Sequence, residues 1–148
     1  MKIIPLLVRD VTALGGFVFI GLTLLLMAVL GEWSYFFKLF VGLVIIVAIG
    51  IGTRLIYFKE RPKKQNHKNA MEKIDASSFP SVHSARATFL ALIFGVFFNK
   101  TEVTIALIVV GLAVIYSRIY LRKHDWKDAL GGVALGILTF CFIKNILF

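Results

Sequence analysis

Cysteine and acidic residues are both scarce in this chain. Cys141 is the only cysteine among 148 residues, which excludes an intrachain disulfide framework and a metal site built from several cysteines. It lies in an apolar run, where we expect it to be a small buried hydrophobic residue. Eight acidic residues accompany 17 lysines and arginines, which gives a net charge of +9. Since no basic helix with interleaved aromatic residues occurs outside the apolar runs, this charge does not indicate a nucleic-acid partner.

Two motifs for phosphate chemistry are also missing from the sequence. It contains no P-loop to hold a nucleotide and no paired-aspartate motif to hold a metal ion. Kinases and metal-dependent alcohol phosphotransferases are therefore disfavoured. We expect no bound metal and no cofactor.

Charged residues are few overall, and apolar residues dominate. Hydrophobic residues make up 59% of the chain and charged residues 17%, with a mean hydropathy of +0.87. Soluble domains are roughly 45–50% apolar and about 25% charged. The composition therefore predicts an integral membrane protein.

Long apolar runs divide the chain into membrane spans, each of which needs about 20 residues. Five runs meet this requirement, at residues 11–30, 36–58, 80–98, 102–121 and 129–147. The sequence therefore predicts an all-α polytopic transmembrane helix bundle that forms one domain over residues 1–148, with residues 1–9 at the membrane interface. Small residues that we expect to pack helices closely are Gly15, Gly16, Gly50, Gly52, Gly131, Gly132 and Gly136.

Basic residues are distributed unequally between the two sides of such a bundle. We call the side with the N-terminus, the polar segment 59–79 and the link 122–127 face one, and the opposite side face two. Fourteen lysines and arginines lie on face one, and only Lys38, Lys100 and Lys144 lie on face two. Arg54, Arg61 and Arg118 could serve to bind a ligand instead, and without them 11 lysines and arginines remain on face one. Cytoplasmic loops carry excess lysine and arginine, so we expect face one to be cytoplasmic in the cell membrane.

Two clusters of candidate binding residues lie where spans meet face one. Arg54 lies inside the second apolar run, and Arg61 follows seven residues later. A charge in such a run is costly and therefore often functional, although snorkelling to the interface is the alternative interpretation. The third span begins with Ser81, Val82 and His83 after a proline, so backbone N–H groups at this helix start are expected to be free for an anion. A plain helix start is the alternative.

A third cluster lies at the end of the fourth span. Arg118 is inside the apolar run, and His124 and Asp128 follow with a spacing of four. That spacing lets a carboxylate orient an imidazole and leaves the other ring nitrogen nucleophilic. The alternative is that Asp128 only caps the fifth span. Arginines, histidines, a serine hydroxyl and a helix N-terminus on one face together suit a phosphate group.

The three clusters resemble the motifs of a known family. Arg-x6-Arg-Pro (54–62), Pro-Ser-x-His (80–83) and Ser-Arg-x5-His-x3-Asp (117–128) are similar in order and spacing to those of the type 2 phosphatidic acid phosphatases, which are related to the vanadium haloperoxidases. The resemblance covers about half of the chain. It implies a metal-independent phosphatase that cleaves lipid phosphates or pyrophosphates through a phosphohistidine.

The resemblance also implies a role for each matching residue. His124 matches the nucleophile, Asp128 the carboxylate that orients it, and His83 the acid that protonates the leaving group. The matching phosphate-holding groups are the side chains of Arg54, Arg61, Ser81 and Arg118 and the backbone N–H of Val82.

Two positions differ from the family pattern. Arg54 stands where the family usually has lysine, which keeps the charge but favours bidentate contact. Val82 replaces the usual glycine before the histidine and narrows the pocket. The family commonly has six spans and often acts on the outer face, whereas this sequence predicts five spans and a cytoplasmic site.

Three functions remain compatible with these residues. The main one is hydrolysis of a lipid phosphate, with phosphatidic acid, phosphatidylglycerol phosphate and polyprenyl pyrophosphate as equal candidates for the substrate. The second is transfer of the phosphoryl group to an alcohol through the same histidine. The third is a non-enzymatic bundle that binds anionic lipid, which would not require the set of His83, His124 and Asp128.

Overall fold

The computed structural model describes residues 3–63 and 69–147, and the structural statements below concern these residues. They form seven α-helices, namely α1 (Ile3–Ala13), α2 (Phe17–Val29), α3 (Trp33–Ile56), α4 (Ala70–Ala76), α5 (Val82–Phe98), α6 (Thr101–Tyr120) and α7 (Trp126–Leu147). An isolated antiparallel bridge pairs Glu60 with Ser77. The predicted all-α class is confirmed.

The predicted spans each correspond to a helix or a bent helix pair. Three helices are long and apolar enough to cross a membrane, namely α3, α6 and α7, and α1 with α2 adds a fourth if the bent pair is counted as one span. Helix α5 is apolar but shorter, with 17 residues. The outer surface of the bundle is rich in exposed leucine, valine, isoleucine and phenylalanine, as expected for contact with lipid tails.

The first span is not a single straight helix, contrary to the prediction for residues 11–30. Helices α1 and α2 meet at 42°. Between them, the N–H groups of Leu14, Gly15 and Gly16 bond to carbonyls three residues earlier rather than four. This tightened turn ends α1 and leaves the Gly15 carbonyl free to accept a bond from another helix.

Helix α5 is the centre of the bundle and contacts α3, α6 and α7. Its Phe89 and Ile93 are fully buried in the hydrophobic core. Gly132 and Gly136 of α7 lie directly against the α5 backbone, where a Cβ atom at either position would overlap a carbonyl oxygen. The predicted packing role of these two glycines is therefore confirmed.

Two smaller predictions about single residues are wrong. Gly52 has no described neighbour within 4 Å of the position a Cβ would occupy, so it packs no helix. Cys141 is exposed on α7 rather than buried, because an apolar run in a membrane span includes residues that face lipid as well as residues that face the core.

Backbone hydrogen bonds join the helix ends at face one. The N–H of Ser78 donates to the Lys59 carbonyl at 2.8 Å, and the N–H of Ser81 donates to the Asp128 carbonyl at 3.0 Å. Further along, the N–H of Lys63 donates to the Arg122 carbonyl at 3.1 Å. The three sequence clusters therefore meet at one end of the bundle, as predicted.

Candidate active site

A cavity of about 570 Å³ opens at the face-one end of the bundle. Its basic and imidazole lining residues are Arg54, Arg61, His83, Arg86, Arg118, Lys123 and His124. Its apolar lining residues are Phe17, Val47, Ile51, Ile74 and Val82, and Asp75 adds a carboxylate. On α3, Val47 precedes Arg54 by seven residues, so it lies about 10 Å deeper in the membrane region. The α3 side of the cavity is therefore cationic near face one and apolar further in.

Most of the predicted site residues line this cavity. Arg54, Arg61, Val82, His83, Arg118 and His124 all do so. The remaining two, Ser81 and Asp128, are fully buried behind it and are not lining residues. The predicted contact of Ser81 with a phosphate and the predicted role of Asp128 in orienting the nucleophile stay predictions.

His124 is held by the backbone more closely than by a carboxylate. Its Nδ1 lies 2.7 Å from the carbonyl oxygen of Ser78 and 3.9 Å from Oδ2 of Asp128. Because a carbonyl can only accept, Nδ1 carries the proton of a neutral ring, and Nε2 keeps its lone pair. Burial, followed by the nearby guanidinium groups of Arg118 and Arg61, lowers the pKa of His124 to about 3. The ring is therefore a neutral base at physiological pH.

Asp128 belongs to an ion-pair and capping network at the start of α7. The N–H of Asp128 donates to Oδ1 of Asp125 at 2.9 Å, and the N–H of Asp125 donates to Oδ2 of Asp128 at 3.0 Å. This reciprocal pair is a capping box in which Asp125, not Asp128, is the cap. Nζ of Lys59 lies 2.6 Å from Oδ2 of Asp125 and 2.7 Å from Oδ1 of Asp128, so one ammonium bridges the two carboxylates. The network fixes the turn that carries His124.

The beginning of α5 differs from the prediction in one respect. Ser81 is the N-cap, and its hydroxyl oxygen accepts from the N–H of Ser84 at 3.4 Å and lies 2.9 Å from the Ser84 hydroxyl. Its own N–H is bonded to the Asp128 carbonyl and is not free for an anion, which corrects the expectation for this group. The physical reason is the close approach of α7, which places a carbonyl of α7 at the start of α5.

The arginines of the cavity keep unused hydrogen-bond donors. Arg54 donates to the Pro80 carbonyl at 3.1 Å, and Arg61 donates to the Asp75 carbonyl and lies 3.9 Å from its carboxylate. The Nε atoms of Arg54, Arg61, Arg86 and Arg118 are buried and have no partner among the described residues. Buried donors without partners are costly. Their convergence on one cavity indicates an anionic ligand.

Several residues of the site were missed in the sequence. Arg86 has the same signal as Arg54 and Arg118, a charge inside an apolar run. It contributes to the basic charge of face one, but no role in the site was predicted for it. Lys59 and Asp125 are polar residues in polar segments and had no distinguishing signal. The Ser78 carbonyl is a backbone atom, so no side-chain pattern could have identified it.

No cluster of three or more histidine, cysteine, aspartate or glutamate side chains that could hold a metal ion is found within residues 3–63 and 69–147.

Comparisons with known proteins point to one family. A sequence model of the PAP2 superfamily matches residues 35–148. The fold is similar to a crystal structure described as the first transmembrane PAP2 type phosphatidylglycerolphosphate phosphatase from Bacillus subtilis, with a TM-score of 0.67 and 24% sequence identity. That match covers 98% of this chain and 77% of the other. A search of curated proteins found no match.

Proposed function

The chain belongs to the PAP2 superfamily, and from this premise we propose that it is a metal-independent lipid phosphatase that works through a phosphohistidine at His124. The observation that carries the proposal is the position of His124, whose Nδ1 lies 2.7 Å from the Ser78 carbonyl oxygen in a cavity lined by arginines. A nucleophile with a free lone pair next to groups that neutralise phosphate is what phosphoryl transfer needs.

The first step of the proposed reaction is attack of Nε2 of His124 on phosphorus. The bond from phosphorus to the leaving-group oxygen breaks, and its electron pair stays on that oxygen. His83, protonated while the negatively charged phosphate is bound beside it, supplies the proton. Arg54, Arg61 and Arg118 balance the charge on the phosphoryl oxygens. The carboxylate of Asp128, 3.9 Å from Nδ1, stabilises the positive charge that the ring acquires.

The second step releases phosphate. A water molecule gives a proton back to His83 and attacks the phosphorus, and the bond from phosphorus to Nε2 breaks. Inorganic phosphate leaves, and His124 returns to its neutral form. No other co-reactant is required.

The apolar part of the cavity supports a lipid rather than a water-soluble phosphate ester. Val47 and Ile51 line it on the α3 turns that precede Arg54, and Phe17 lines it beside Arg86. A lipid tail placed there would be shielded from water while the head group reached the arginines. We further propose that the protein resides in the cell membrane with this site at the cytoplasmic face, on the basis of the lysine and arginine excess on face one.

The test is phosphate release in detergent from phosphatidic acid, phosphatidylglycerol phosphate and a polyprenyl diphosphate. We expect release from at least one of them, with Arg9→Gln, an exposed substitution on α1, as a control of unchanged activity. Tight binding of these lipids without release of phosphate would instead favour the non-enzymatic anionic-lipid bundle.

A further inference from the structure

Arg86 is a buried arginine of α5 that the proposed reaction does not use. Only 3% of its surface is exposed, yet it lines the cavity. Nη1 donates to the Gly15 carbonyl at 3.2 Å, and the guanidinium lies 4.2 Å from the ring centroid of Phe17. Its Nε is buried without a partner among the described residues. A neutral carbonyl and an aromatic ring do not balance a full positive charge at this depth.

The position of Arg86 relative to His83 is set by the helix. The two residues are three apart on α5, which places them on neighbouring turns of one face, with Arg86 about 4.5 Å further from face one. Both also adjoin Gly15, since a Cβ at Gly15 would lie 3.2 Å from Cδ2 of His83. Arg86 is therefore the next group inward from the proposed general acid.

The direction of the substrate follows from the lining of the cavity. The phosphoryl group that is cleaved lies with His124 near face one, and the lipid tail lies against the apolar residues further in. The leaving group must connect the two, passing His83 first and then Arg86. The part of the leaving group that lies beyond His83 therefore meets the guanidinium of Arg86.

The charges of the cavity suit more than one phosphate. Arg54, Arg61, Arg86, Arg118 and Lys123 line it, and Asp75 is the acidic lining residue. A phosphate monoester carries about −1.5 to −2 charges at pH 7. That charge leaves an excess of positive charge in the cavity, which a second phosphate on the leaving group would reduce.

We propose that Arg86 binds a second phosphate carried by the leaving group, so that the enzyme prefers lipids with two phosphates over lipids with one. This inference rests on the proposed phosphatase function. Two lipid classes share the required chemistry, namely prenyl diphosphates, whose leaving group is a monophosphate, and phosphatidylglycerol phosphate, whose leaving group contains a phosphodiester. Phosphatidic acid and prenyl monophosphates lack the second phosphate.

The experiment compares two matched substrate pairs in detergent. The first pair is farnesyl diphosphate and farnesyl monophosphate, and the second is phosphatidylglycerol phosphate and phosphatidic acid. For each pair, the ratio of kcat/KM values is measured for the wild type, Arg86→Gln, Arg86→Lys and the charge control Arg9→Gln. A ratio taken within one preparation does not depend on the fraction of protein that is folded.

We expect Arg86→Gln to lower the ratio of kcat/KM for the two-phosphate lipid to kcat/KM for the one-phosphate lipid at least tenfold in one or both pairs. The pair that is affected identifies the lipid class that supplies the second phosphate. Arg86→Lys should retain part of the ratio, since it keeps the charge, and Arg9→Gln should retain all of it. Equal changes on both members of both pairs, in the Gln and the Lys variants alike, would show that Arg86 only ties the bend at Gly15 to α5 and would overturn the proposal. If the wild type releases phosphate from none of the four lipids, the proposed function itself fails, which is a distinct result.

Discussion

Nδ1 of His124 lies 2.7 Å from the carbonyl oxygen of Ser78. This contact joins the segment before α5 directly to the segment before α7 at the active-site end of the bundle. The Ser78 segment is itself anchored by its N–H on the Lys59 carbonyl. The tautomer of the proposed nucleophile is therefore set by the main chain.

The substitution His124→Gln tests the nucleophile. Glutamine keeps a hydrogen-bond donor for the Ser78 carbonyl but cannot form a phosphohistidine, so phosphate release should fall to background while the melting temperature changes little. The measurements are phosphate release and thermal unfolding in detergent. Activity within about tenfold of the wild type, or about 1.4 kcal/mol, would contradict the assignment.

The low pKa of His124 makes a prediction about pH. Burial and the cations of Arg118 and Arg61 lower the pKa from 6.5 to about 3. The stability contributed by the neutral ring is therefore present above the unfolded value of 6.5 and is lost as pH falls towards 3. An NMR titration of labelled histidine without ligand should show a His124 resonance that titrates far below 6.5.

In Arg118→Gln the same resonance should titrate at higher pH, because one neighbouring cation is gone, and burial should still hold the pKa below its usual value. His124→Gln identifies the resonance. A His124 signal that titrates at 6.5 in the wild type would refute the geometry described here.

Lys59 is expected to stabilise the turn that carries the nucleophile. Lys59→Met leaves the fully buried Asp128 and the nearby Asp125 without their shared ammonium. Breaking a buried pair costs about 3–5 kcal/mol, and partial exposure of Lys59 reduces this to about 2 kcal/mol. Thermal unfolding measures the loss, and Lys63→Met, an exposed lysine of the same segment, is the matched control. Equal melting temperatures for the two variants would argue against the network.

Metal removal should not reduce activity. The arginines and Lys123 supply the positive charge that a divalent ion supplies in metal-dependent phosphatases. Phosphate release should be the same with and without EDTA, and vanadate, a mimic of the five-coordinate transition state, should inhibit competitively. Activity that disappears in EDTA and returns with magnesium would reverse this interpretation.

The orientation in the membrane can be tested with single cysteines. Cys141 is exposed and is first changed to serine. Lys63→Cys on face one should then resist an impermeant maleimide in intact cells, whereas Thr101→Cys on face two should react. The opposite labelling pattern would place the active site outside the cytoplasm.

The sequence predicted the helices and six of the 13 residues that line the cavity, because their signals are side-chain patterns. Apolar runs gave the spans, and charges within those runs gave Arg54 and Arg118. The bend after α1 was not predicted, since a glycine pair in an apolar run is compatible with both a straight and a broken helix. The Ser78 carbonyl and the bonded N–H of Ser81 depend on which helices approach each other, and that information is absent from any single segment.

The close contact of Gly132 and Gly136 with α5 has a consequence for how this protein could be re-engineered. Helix α5, which carries His83 in its first turn, and helix α7, which follows His124, cannot shift along each other without overlapping backbone atoms. A directed-evolution library for new lipids should therefore leave α5 and α7 unchanged and vary Val47 and Ile51, which line the cavity from α3. Variation there would change which lipid tail the cavity accommodates, while the spacing of His83 and His124 stays constant.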